Sequence, residues 1–490
     1  MFSSAHFSGS DDFQLQSDEF ASWLSSRSGV TVNSKVRIAD LRAIAAGRGV
    51  VAQADIVEGE ELFTIPRDLV LSTHNSRLSH LLSQNLEELG PWLALMLVMI
   101  YEFLQGDAST WAPYFKVLPR NFDTLMFWSE EELAELQGSA VIDKIGKQGA
   151  EEIILGSIAP IVRSNPALFP PIEGFASYDG DAGTQVLLNL AHTMGSLIMA
   201  YAFDVEKPEN EDERDGEDGY LTDEEEEQSF KGMVPLADIL NADADRNNAR
   251  LFQEEESLVM KAIKSISAGE EIFNDYGEIP RADLLRRYGY VTDNYAPYDV
   301  VELSLDQLCS AAGLSDSSIE HQPRLQLLES LDLLDDGYAI PRPSSTDSLS
   351  DIIPEELALL VTTLTLSPEQ FSERQQKQKP PKPSFDAAEL RLLYNAVQLN
   401  QSRYATSITQ DQELLTQLSL TEAATGALEG LARRQKMAIQ VRLGEKEILQ
   451  DLSSRLSAYL ANADGPNSGS AKRTANGFPD DLRLSKAQRT

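Results

Sequence analysis

Val234-Pro-Leu-Ala-Asp-Ile-Leu-Asn241 is an apolar run broken by one acid, Asp238, and closed by an asparagine. Thirty-five positions after Asn241 stands Tyr276, within Phe273-Asn-Asp-Tyr276-Gly277, and twelve after Tyr276 stands Tyr288, within Arg286-Arg-Tyr288-Gly-Tyr290. Strand patterns run from Val234 through Leu258-Val-Met-Lys-Ala-Ile263 to Val301. Between the second and third pieces the pattern turns helical. Pro280 suits a first turn, Leu284, Leu285 and Tyr288 share a face, and Gly289 suits the C-terminal cap. Three such pieces in this order are hard to obtain by chance.

Working outward, residues 17–28 read as a short amphipathic helix, with Ser17 or Asp18 as N-cap and Phe20, Trp23 and Leu24 on one face. From Val36 to Pro66 short strands alternate with glycine turns, among them Ala46-Gly-Arg-Gly49 and Ile56-Val-Glu-Gly-Glu-Glu-Leu-Phe63. The second has an echo in Ile266-Ser-Ala-Gly-Glu-Glu-Ile-Phe273, so both read as strand, glycine turn, strand. Residues 75–203 are mostly helical by spacing. Residues 204–228 form an acidic run that reads as a disordered loop. After about residue 302 the pattern is helical again, interrupted by the basic, proline-rich linker 375–383, and residues 463–490 read as a mobile tail.

Composition narrows the function. The net charge is −37, and the stretch from Asp204 to Glu227 holds fourteen acids and two bases, so −25 lies elsewhere. Acidity this general argues against direct contact with nucleic acid and for a basic protein partner. A single cysteine, Cys309, allows no internal disulfide, and one cysteine with five histidines builds no Cys-rich zinc site. A reducing compartment fits, and no signal peptide is expected from the polar, acidic first residues. The longest apolar run, Trp92 to Tyr101, is far shorter than the roughly 20 residues needed to span a bilayer.

The three quoted pieces resemble the carboxyl half of the SET domain, the knotted β fold of protein lysine methyltransferases. Ala237-Asp-Ile-Leu-Asn241 is most similar to the subgroup that includes the RuBisCO large-subunit and ribosomal lysine methyltransferases. The resemblance implies an α+β fold. After an N-terminal helical segment (1–30) comes a SET domain (31–300), with a helical insert at about 75–203. An all-α substrate-binding domain (301–462) follows it. It implies methyl transfer from S-adenosylmethionine, without a metal, to the ε-amine of a lysine on a basic protein. A ribosomal protein leads and monomethylation is the first expectation. A histone substrate, or a non-catalytic adaptor on the same scaffold, stays open. A monomer in nucleus or cytoplasm is expected, with no membrane partner.

Residue by residue, Tyr276 matches the active-site tyrosine. Ala46, Gly47 and Arg48 match the turn that takes the donor's methionine end, and Asn241 with Ala242 stands where the family usually reads Asn-His. Alanine can supply the main-chain contacts of that pair but not the imidazole. Tyr288 matches an adenine neighbour. Tyr201 matches a residue that reaches the donor and the substrate side, Trp111 an aromatic near the lysine channel, and Asp238 a residue lining the substrate side. Such a channel has a physical task. A lysine of pKa about 10.4 is neutral at pH 7 only at a cost of roughly 4.6 kcal/mol, which an apolar, aromatic wall lowers by disfavouring the charged form.

Overall fold

The structure, a computed structural model, describes residues 12–44, 46–207, 229–314, 319, 322–426 and 428–463. Most of the acidic run (208–228) and the tail from 464 lie outside the described residues. The described start of the run is ordered, since Asp204 and Glu206 belong to a strand. Packing divides the chain into two compact units. One holds residues 1–300 and 406–445, the other 301–405 and 446–490. No helix of the described residues is long and apolar enough to cross a membrane.

The first unit opens with a helix at Phe13–Ser25, four residues earlier than its apolar spacing suggests. The early start has a tertiary cause: the guanidinium of Arg48 lies 3.8 Å over the Phe13 ring and donates to the Phe13 carbonyl. Strands β1 (Thr31–Val32), β2 (Val36–Asp40), β3 (Arg48–Ala52) and β4 (Glu61–Pro66) follow. After the insert come β5 (Ala202–Glu206), β6 (Ser229–Met233), β7 (Ala249–Gln253), β8 (Ser257–Ala262) and β9 (Glu271–Ile272). They form small sheets of order β1-β4-β8-β7, β2-β3-β9 and β5-β6. The second sheet matters most for the site, because Val50 pairs with Ile272 and so ties the early glycine turn to the strand leading into Tyr276.

The two echoed segments pair with each other. Ile56 and Ile266 exchange backbone hydrogen bonds of 2.9 and 3.0 Å, and Glu60 and Glu270 each accept from the backbone N–H three residues earlier. Gly59 and Gly269 sit at φ +83° and +91°, where a side chain would be strained.

The insert is helical, as its spacing predicts. Its core helix, Ser83–Leu104, bends where Gly90 (φ +70°) precedes Pro91, and buries every residue from Ala94 to Glu102. Its last helix, Gly180–Tyr201, runs straight into β5. The segment Val234–Asn241, read as an apolar strand, is instead a turn. Leu236 takes φ +76° and a 3₁₀ turn, Ala237–Ile239, follows. All residues from 232 to 240 are buried, so no alternation could reveal the change.

Residues 406–445, which the pattern joined to the carboxyl-terminal helices, pack within the first unit. Arg442, 1% exposed, reaches Asp411 at 2.8 Å and Glu135 at 2.9 Å, a buried charge with both partners on that unit. The second unit is mostly helical around a core from Val301 to Leu456. It also holds strands β10 (Val300–Ser304) and β11 (Gly337–Pro341), a small sheet within a region read as all helix.

Candidate functional site

The glycine turn and the Asn241 segment meet through one side chain. The amide of Asn241 lies 3.1 Å from the Ala46 carbonyl, 3.2 Å from that of Arg48, and 2.7 Å from the Glu271 carboxylate. Gly47 sits at φ +64° with open space where a side chain would project. At Gly49 a Cβ would stand 2.5 Å from Leu41 Cδ1 and 2.6 Å from Glu271 Oε1, so any side chain there would push these neighbours aside. Main-chain groups of Ala46–Arg48 are thus held beside Asn241. The Arg48 side chain points away, donating to Ser17, the Val117 carbonyl and Gln16. Ala242 makes its contact by backbone, bridging in parallel to Asn274, whose N–H donates to the Asn241 carbonyl at 2.8 Å.

Next to this lock is a cavity of about 260 Å³. Tyr201 enters it from the end of the insert, Asp238 from the 3₁₀ turn, and Tyr276 and Tyr288 from the carboxyl motifs. Leu240 and Asn274, flanking the lock, also line it. The rings of Tyr276 and Tyr288 stack at 4.1 Å and 7°. Burial, with the other tyrosines adding, holds the Tyr276 hydroxyl well above its ordinary range. Burial and then Asp238 push Tyr201 up to about 12. These hydroxyls therefore stay protonated near neutrality and can orient a ligand, but they are poor bases. Burial raises the Asp238 carboxyl to about 7, against a hydrogen bond from Tyr114 and, after it, the backbone N–H groups of Asp238 and Leu236, which pull it down.

Trp111 does not line this cavity. It is 4% exposed within the main core, with its indole N–H 3.5 Å from the Leu69 carbonyl. The residue that reaches the site from this stretch is Tyr114, one helical turn on, whose hydroxyl donates to Asp238. Residue type could not separate the two, since both are aromatic and buried. Glu271, which anchors the lock, was likewise hidden inside an ordinary turn motif.

Residues 47–277 match the SET domain family, and residues 319–449 match the Rubisco LSMT substrate-binding family. N-lysine methyltransferase SETD6 of Bos taurus is 30% identical over 91% of this chain and 96% of its own. The chain belongs to the SET-domain protein lysine methyltransferases. Ribosomal lysine N-methyltransferase 4 of Saccharomyces cerevisiae is 36% identical, over 61% of this chain and 60% of that enzyme. The structure of Rubisco LSMT bound to AdoMet has the same fold, with a TM-score of 0.65 at 22% identity, covering 92% of this chain and 93% of that one. The protein is an S-adenosylmethionine-dependent protein lysine N-methyltransferase, with S-adenosylmethionine as co-substrate. The left-handed backbone at Gly47 and the close packing around Gly49, beside main-chain groups fixed by Asn241, suit a donor held by backbone contacts.

Proposed function

We propose that this methyltransferase modifies a lysine on a basic, ribosomal protein, by monomethylation, and that the 260 Å³ cavity receives that lysine. The observation that carries the reading is the convergence of Tyr201, Asp238, Tyr276 and Tyr288 on one cavity beside the Asn241 lock. In this reading Ala46–Arg48, Asn241 and Ala242 hold the donor's methionine end through the main chain, and Tyr288 flanks its adenine. The Tyr276 hydroxyl orients donor and amine, and the tyrosine wall lowers the cost of a neutral lysine. Two things support the substrate class. The net charge of −37 favours a basic partner, and a relative 36% identical over part of the chain carries the name of a ribosomal lysine methyltransferase.

The test is mass spectrometry of ribosomal proteins from cells with and without the enzyme, paired with radiolabelled transfer to purified ribosomal proteins and to histones. A monomethyl-lysine lost in the deletion and restored in vitro is expected. Label on histones alone would overturn the substrate class.

A further inference from the structure

Methyl transfer needs a destination for one proton of the substrate ammonium. The tyrosines Tyr114, Tyr201, Tyr276 and Tyr288 all have hydroxyls held above their ordinary range by burial. Asp204 and Asp275 also line the cavity, but both are exposed. Among the described residues, no lysine, arginine or histidine lines it. Asp238 differs from every other group there. It is 8% exposed, its Oδ2 accepts from Tyr114, and its enclosed Oδ1 has no hydrogen bond of ordinary geometry among the described residues, with the nearby backbone N–H groups of Asp238 and Leu236 helping to lower the carboxyl. A buried acceptor left open is costly unless something comes to fill it. The backbone supports the same orientation, since Leu236 is held at φ +76° two residues before Asp238. Strain of this kind, in a buried leucine, persists where the surroundings demand it.

We propose that the Asp238 carboxylate accepts the proton of the substrate ammonium, and that Tyr114 is the positioning residue that holds Asp238 for this task. This rests on the reading of the cavity as the lysine site. In the step, an Nζ–H bond breaks and an O–H bond forms on the Asp238 carboxylate, leaving the electron pair on Nζ. That pair attacks the donor methyl carbon. The methyl–sulfur bond breaks toward sulfur, turning the sulfonium into a neutral thioether. The product leaves as a methylated ammonium with its two remaining protons, and Asp238 releases the third to water. A buried ammonium–carboxylate pair loses much hydration, so passing the proton to give two neutral groups is favoured by the same burial that raises Asp238 to about 7.

The experiment measures initial rates of the full chain against pH, with radiolabelled donor and a limiting ribosomal-protein fraction as acceptor. The wild type should show an acid limb that levels off above about 7. Tyr114→Phe removes the largest of the hydrogen bonds that lower Asp238, so its limb should move to higher pH. Asp238→Asn should be about 10²–10⁴-fold slower near neutrality. Its rate should climb about tenfold per pH unit toward the lysine's own pKa of about 10.4. Asp238→Glu should restore a limb. Unchanged donor affinity by calorimetry confirms that each variant is folded. A limb unmoved in Tyr114→Phe removes that residue's role. A wild-type profile in Asp238→Asn, or a loss by the same factor at every pH, overturns the proton transfer. Tyr276→Phe separates this from the broader reading: turnover surviving there would sink the lysine site itself, whereas a dead Tyr276→Phe beside a normal Asp238→Asn would sink only the proton acceptor.

Discussion

The two halves of the site are built on opposite principles. At the glycine turn, Asn241 meets three acceptors, Glu271 is paired, and Gly49 fills the last space. At the adjoining cavity, Asp238 has one oxygen without an ordinary hydrogen bond among the described residues, the nearby Leu236 is strained, and the hydroxyls of the three lining tyrosines are held from ionising. The first region resembles ordinary stable protein, in which buried polar groups are satisfied. The second departs from that rule in the way binding sites do. Substitutions in the lock should therefore cost stability and donor affinity, and substitutions in the cavity should cost turnover.

The largest effect should come from Tyr276→Phe. The stacked ring stays and only the hydroxyl goes, so turnover should fall about 10²-fold or more while calorimetry finds donor affinity intact. Parallel losses of turnover and affinity would erase the contrast between the halves. Next in size, Gly49→Ala should break the lock. Its methyl group would press on Leu41, Glu271 and Asn241, costing about 1–3 kcal/mol in denaturant unfolding and weakening the donor. Asn241→Ala should weaken donor binding about tenfold by leaving the Ala46 and Arg48 carbonyls without their shared donor.

Stability against pH sharpens the comparison further. The folded Asp238 carboxyl, at about 7, lies above its ordinary value of 3.8, so its contribution to stability is fully present below that ordinary value and is lost as pH rises through 7. Asp238→Asn should therefore melt higher than wild type at pH 8, with the advantage shrinking as pH falls toward 4. A lower Tm at pH 8 would mean that the ionised carboxylate has a stabilising partner. The smallest effect belongs to Ala242→His. Its contact is by backbone, so the donor Kd should change by less than about threefold, and a large loss would show the turn to be shaped by the missing ring.

Legibility followed how locally each feature was encoded. The helix Arg281–Tyr288 was readable because its start, face and glycine cap all lie within ten residues. The echoed glycine turns were readable as turns, but their pairing through Ile56 and Ile266, 210 positions apart, was not. The cavity residues Tyr201, Asp238, Tyr276 and Tyr288 were reached through family motifs, and geometry brought them together. Tyr114 was passed over for Trp111 because which side of a short helix faces a site depends on what packs against the other side. The strand read at Val234–Asn241 failed because a segment buried all round carries no period.

By itself the chain of residues determined the order of elements, the helical insert, the acidic balance, and the motif set that names the family. Each rests on spacing, charge or turn chemistry within a short window. Only the tertiary structure decided that Asn241 would clamp the glycine turn, that residues 406–445 would join the first unit, and that Asp238 would be buried with one oxygen open. Those depend on desolvation and on partners supplied from hundreds of positions away, and a carboxyl group's chemistry is set by what surrounds it as much as by what it is.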